Sequence, residues 1–163
     1  MSKQFVAFFG LGKTTWCKTH LNWIDLDVSW YGIKELRAVQ YLLYFYSRWD
    51  YNMLLGVGAI SAMAVTEYLN MSNSEHPKQP YWPIELNVII PGKDMKEEIL
   101  DRIKARGNNS EYQSIAAMYD MSWRAADNLP FKTKVYLKPG QYLSDIIDEN
   151  GEYKEGIEVL YGK

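Results

Sequence analysis

Cysteine is nearly missing from this chain: Cys17 is the only one in 163 residues. No disulfide can form within the chain, and a reducing cytosol is the expected compartment. Histidine is almost as scarce, with two, and both His20 and His76 read as non-catalytic. No stretch approaches the roughly 18 uninterrupted apolar residues of a membrane helix, and no basic segment with an apolar run and cleavage site opens the sequence. An excess of one charge is absent too. Against 18 Lys+Arg stand 20 Asp+Glu, for a formal charge of -2, so no global field draws long nucleic acid. There is no internal repeat and no low-complexity tract. What is abundant is aromatic: 13 Tyr and 6 Trp lift the aromatic share to 15%, enough rings to line a pocket. The length suits a single domain, 1–163, able to bury a sizeable core.

The chain is organised around Ala7-Phe8-Phe9-Gly10-Leu11-Gly12-Lys13-Thr14-Thr15. This stretch follows the apolar run Phe5–Phe9, a buried parallel strand in pattern, and precedes a segment with helical character from Lys13 to about His20. Against the phosphate-loop pattern G-x-x-x-x-G-K-[ST] it matches at Gly12, Lys13 and Thr14, with Ala7 in place of the first glycine. Glycines allow a tight loop whose amides point at phosphate oxygens, so Gly10, Leu11, Gly12, Lys13, Thr14 and Thr15 are the expected phosphate-binding residues. Lys13 supplies a mobile charge near the β- and γ-phosphates of ATP, and the Thr14 hydroxyl reaches Mg²⁺.

Asn22–Val28 alternates apolar and acidic residues, as a strand leaving the sheet does, and period two points Asp25 and Asp27 the same way. Ligands of open α/β sheets bind beyond the strands' carboxyl ends, so both carboxylates are expected beside the loop, Asp25 toward the metal and Asp27 toward the attacking group. Residues 33–48 suit an amphipathic helix whose aromatic stripe belongs to the core. Further strands are expected at Met53–Gly58, Ile84–Ile90 and Thr133–Leu137, and a short edge strand at 157–161. Strand three ends in Gly56-Val57-Gly58 without a carboxylate. Residues 71–80 read as a loop.

Asp94 with Glu97 reads as the capping box of a helix that carries Arg102 and Arg106 on one face. With the following helix, around 110–128, it forms a lid-like region over about 94–128. Both arginines are expected to close over the transferring phosphate, with a Glu98–Arg102 pair on a solvated helix as the alternative. Trp30 and Tyr31 could contribute to a base pocket.

The order of phosphate loop, Asp25-Leu26-Asp27, the Lys96–Asn108 helix and the Leu137–Ile147 segment resembles small bacteriophage-encoded nucleotide-kinase-like proteins of the P-loop superfamily. The R-x-x-x-R-G-N and L-S-D-I-I strings are its more distinctive parts. The resemblance implies an α/β nucleoside monophosphate kinase fold, a three-layer arrangement around a parallel sheet of about five strands with a helical lid. It further implies ATP- and Mg²⁺-dependent phosphoryl transfer to a (deoxy)nucleoside monophosphate, with Lys13, Asp27, Arg102 and Arg106 catalytic, Thr14 and Asp25 at the metal, and no membrane partner. The alternatives are a 5′-end polynucleotide kinase and a non-catalytic nucleotide-binding or sequestering protein.

Overall fold

A computed structural model describes residues 2–71 and 81–162. The loop expected over 71–80 falls outside them apart from Met71, and so does His76.

Strand β1 (Gln4–Ala7) is buried at every position. A strand covered on both faces belongs in the middle of a sheet. It lies between β3 (Asn52–Gly56) and β4 (Leu86–Pro91), parallel to both. The half-polar β2 (Trp23–Asp27) takes the outside, parallel to β3. On the other flank β5 (Thr133–Leu137) runs parallel to β4, and β6 (Leu160–Tyr161) pairs antiparallel with β5. The order is β2-β3-β1-β4-β5-β6. The protein is therefore α/β with a mixed sheet of six strands, not the wholly parallel sheet of about five expected from the sequence. The edge strand expected at 157–161 shrinks to two residues because Gly156, at φ 84°, and the Ile157 N–H bond to the Lys154 carbonyl keep the chain turning.

Among the described residues there are six helices: α1 (Lys13–Thr19), α2 (Leu36–Arg48) after a short 3₁₀ turn, α3 (Ala59–Asn70), α4 (Lys96–Lys104), α5 (Asn109–Asp127) and α6 (Leu143–Ile146). The β1-to-β2 step crosses the sheet in one direction, and the next three parallel crossovers run in the other. Right-handed crossovers then put α1 on one face and α2, α3 and α5 on the opposite one. Contacts agree, α2 packing on α3, α3 on α5, and α1 on α6. Because β1 leads toward β2 while its neighbour β4 leads toward β5, a crevice opens at their carboxyl ends.

Two local expectations change. In α2 the buried face is Val39, Gln40, Leu43 and Ser47, whereas Tyr41, Phe45 and Trp49 stand exposed. They lie four apart along the side turned from the sheet, so that part of the aromatic stripe is surface, not core. Helix α4 begins one residue after Met95, with no side-chain cap. The Met95 N–H already bonds to the Gly92 carbonyl and forms the turn, leaving Asp94 outside the capping position. The helices of the 94–128 region are seated on the body: Ile99 and Ile103 of α4 and Ile115, Tyr119 and Ala126 of α5 are buried.

Candidate functional site

Residues Phe8 to Gly12 join β1 to α1 at the crevice. The bend needs the left-handed backbone of Gly10, at φ 75°, and Gly12, at φ 90°, a region that side chains with a Cβ disfavour. Ala7 is the last residue of β1, registered opposite Ile89 and fully buried, so the pattern's first position lies inside the sheet. Leu11 anchors the loop. Its side chain is in the core and its carbonyl accepts the Leu143 N–H at 3.0 Å, so of the expected phosphate-binding residues it offers backbone alone. Among the described residues, the amides from Phe9 to Thr15 have no acceptor in the loop, cap and side-chain hydrogen bonds.

A cavity of about 310 Å³ opens against this loop. It brings together Lys13, Thr14, Thr15, Asp25, Asp27 and Arg106, with Phe9, Trp30, Glu111 and Ile115. Residues 80 positions apart meet there because β2, registered Asp25 to Leu54 and Asp27 to Gly56, places both carboxylates at its carboxyl end. The Thr14 hydroxyl donates to Asp25 Oδ2 at 3.1 Å. Asp27 Oδ1 accepts the Ser29 N–H at 3.0 Å and the Ser29 hydroxyl.

The ammonium of Lys13 is desolvated although part of the residue reaches the surface. It forms no ion pair among the described residues. Burial is the largest influence and pushes its pKa below the usual lysine value; Asp27 and then Asp25 pull it back up, while Arg106 lowers it further. A buried cation with acids near but not touching is poised to gain from an incoming anion.

Gly56 is why β3 ends without a carboxylate of its own. A Cβ built there would sit 2.8 Å from Asp27 Oδ1 and 3.2 Å from Lys13 Nζ. The glycine leaves room for an acid from the next strand to stand over the β3 end. Neither Gly56 nor Glu111 is singled out by the sequence; only a register between β2 and β3 could have revealed the first.

The two arginines part company. Arg106 lines the cavity and pairs with Glu111, Nη1 to Oε1 at 2.9 Å. Arg102 does not line it. Its Nη1 donates to the Gly10 carbonyl at 3.1 Å and its Nη2 to Glu98 Oε2 at 2.7 Å, and its guanidinium lies 3.9 Å from the Tyr142 ring centroid. Only Arg106 reaches this cavity, but both arginines line the neighbouring groove beside the loop. The i,i+4 pair Glu98–Arg102 is present but fastens α4 to the loop, and Glu98 also accepts the Gly140 N–H at 3.0 Å. A second groove of about 570 Å³ follows this clamp, lined by Gly10, Gly12, Glu98, Arg102, Gly140 and Tyr142 among others.

No set of three or more His, Cys, Asp or Glu able to hold a metal occurs among the described residues. Thr14 and Asp25 nonetheless fit Mg²⁺, which favours hard oxygen donors and takes one or two protein ligands with the rest from substrate phosphates. The thiol of Cys17 is unreactive by environment, pushed up to about 11 by burial first and then by Asp25. His20 is occupied structurally, its ring stacked on Trp16 and its Nδ1 2.8 Å from the Trp16 carbonyl. No protein-family model matches the chain, and no curated protein matches it.

Proposed function

We propose that the chain is an ATP- and Mg²⁺-dependent phosphotransferase of the P-loop type acting on a nucleoside or nucleotide acceptor, a reading to which the likeness to phage nucleotide kinases also leads. The observation that carries it is the meeting of Lys13, Thr14, Asp25, Asp27 and Arg106 around one small cavity at the glycine loop. Lys13 and the loop amides hold the β- and γ-phosphates. Thr14 and Asp25 hold Mg²⁺ together with phosphate oxygens, and the ion when bound neutralises charge on the triphosphate. Arg106 meets the transferring phosphoryl group. The groove beside Arg102 and Tyr142 accommodates the rest of the donor, while Arg102 keeps the Gly10 turn in place.

The experiment is calorimetric titration of the full chain with Mg·ATP, followed by transfer assays with γ-labelled ATP. Lys13→Ala is expected to lower turnover by roughly 10²- to 10³-fold, on the order of the electrostatic contributions measured in such sites, without lowering the melting temperature. Absence of Mg·ATP binding at millimolar concentration overturns the reading.

A further inference from the structure

From the charges left over once the donor is in place, we infer that the group receiving the phosphoryl is a hydroxyl, the 5′-OH of a nucleoside, and that Asp27 is its general base. This rests on the reading of the loop as a triphosphate site. Lys13 is then committed to the donor and Thr14 with Asp25 to its metal. On the remaining wall the charged groups are Asp27, Glu111 and Arg106, and Arg106 already pairs with Glu111 at 2.9 Å. A monophosphate acceptor, with a charge of about -2, would meet two carboxylates and one cation whose charge is shared. An alcohol needs the opposite arrangement. Its oxygen must lose a proton as it attacks, and a carboxylate within reach is the group that takes it.

Asp27 has the free atom for this. Both bonds from Ser29 end on Oδ1, so the carboxylate is fixed by one oxygen, and Oδ2 has no hydrogen-bond donor among the described residues. Asp27 Oδ1 and Lys13 Nζ both lie against the place that a Cβ on Gly56 would take, 2.8 and 3.2 Å from it, which sets the base beside the lysine that grips the γ-phosphate. The remaining wall is apolar and aromatic: Trp30 is 51% exposed, its ring centroid lies 6.4 Å from that of Phe9, and Ile115 backs them. Such a surface accepts the flat face of a base. In the transfer, the hydroxyl oxygen forms a bond to the γ-phosphorus while the bond from that phosphorus to the β,γ-bridging oxygen breaks. The electron pair leaves on ADP and the proton passes to Asp27 Oδ2. The products are a nucleoside 5′-monophosphate and ADP.

The test gives the full chain γ-labelled Mg·ATP with four arms: deoxynucleosides, ribonucleosides, the matching monophosphates, and an oligonucleotide with a free 5′-OH. Labelled monophosphate is expected, with monophosphates accepted at least a hundredfold less well. Label on the oligonucleotide supports the hydroxyl acceptor and transfers it from the free nucleoside to a strand end. Labelled diphosphate overturns the inference, and so does Mg·ATP binding without label on any acceptor. Failure to bind Mg·ATP at all sinks the underlying site instead. Asp27→Asn should lower turnover 10²- to 10⁴-fold while ATP affinity moves less than threefold. Trp30→Ala should weaken nucleoside binding, followed by tryptophan fluorescence, roughly tenfold and leave ATP affinity unchanged. A tenfold or greater loss of ATP affinity in either variant would overturn the assignment of this wall to the acceptor.

Discussion

Two lysines among the described residues, Lys134 and Lys13, are desolvated, and they are treated in opposite ways. Lys134, 5% exposed in β5, donates to the Asp127 carbonyl at 2.6 Å and to its carboxylate at 3.1 Å, and it lies over the Phe131 ring at 4.5 Å. Lys13 has no ion-pair or side-chain hydrogen-bond partner among the described residues, only the Phe9 ring centroid 6.0 Å from its ammonium, and a pKa lowered chiefly by burial. The first lysine is satisfied and ties the end of α5 to the sheet. The second is held in a state that only an added anion relieves, which is how a fold sets aside stability for binding.

The sharpest way to break this contrast is Gly56→Ala. Its Cβ would press on Asp27 Oδ1 and Lys13 Nζ, so displacement of these groups should lower turnover about a hundredfold. Stability should fall by only about 1 kcal/mol, measured by urea denaturation alongside the transfer assay. Wild-type turnover in this variant would show that the closeness of the two groups is incidental.

Lys134→Met should do the reverse. Removing one member of a buried pair costs about 2 kcal/mol here, below the usual range because the Asp127 side chain is 24% exposed. Activity at 25 °C should stay within twofold. Loss of activity without loss of stability would show that Lys134, too, serves the site.

The smallest effect concerns pH. Burial lowers the Lys13 pKa below its ordinary 10.5, so between that lowered value and 10.5 the unfolded chain binds more protons than the folded one. Stability from this group therefore rises with pH across the window, and the whole penalty is present below it. Lys13→Met should raise the melting temperature by roughly 1–3 °C at pH 7, and the gain should shrink as the pH nears 10.5. A gain that is constant with pH would mean that the ammonium is well solvated.

Much of the fold is legible from local pattern. The continuous apolar run at β1, the alternation at β2 and the limits of β5 depend on periodicity within a few residues, and the elements appear where expected. The loop residues and the two aspartates are legible for the same reason, since a strand's period and a glycine turn are local. What stays hidden is set by residues distant in sequence. The antiparallel β6 depends on where the tail finds β5. Gly56 matters only because β2 lies beside β3 in one register. The four-residue spacing suggests a shared helix face, yet α4 ends at Lys104, before Arg106, and the Gly10 carbonyl and the Tyr142 ring capture Arg102; no helical spacing announces that.

The central position of β1 has a consequence for how the molecule comes into being. Gln4 pairs with Met53 on one side and Leu86 on the other, so β1 is synthesised before both of its neighbours and must wait, unpaired and apolar, for partners that arrive much later. Closing such distant contacts is slow, and the nascent chain offers chaperones an unshielded segment throughout that interval. The loop at the end of β1 takes its shape only when this wait is over, so the cavity beside it forms late and all at once.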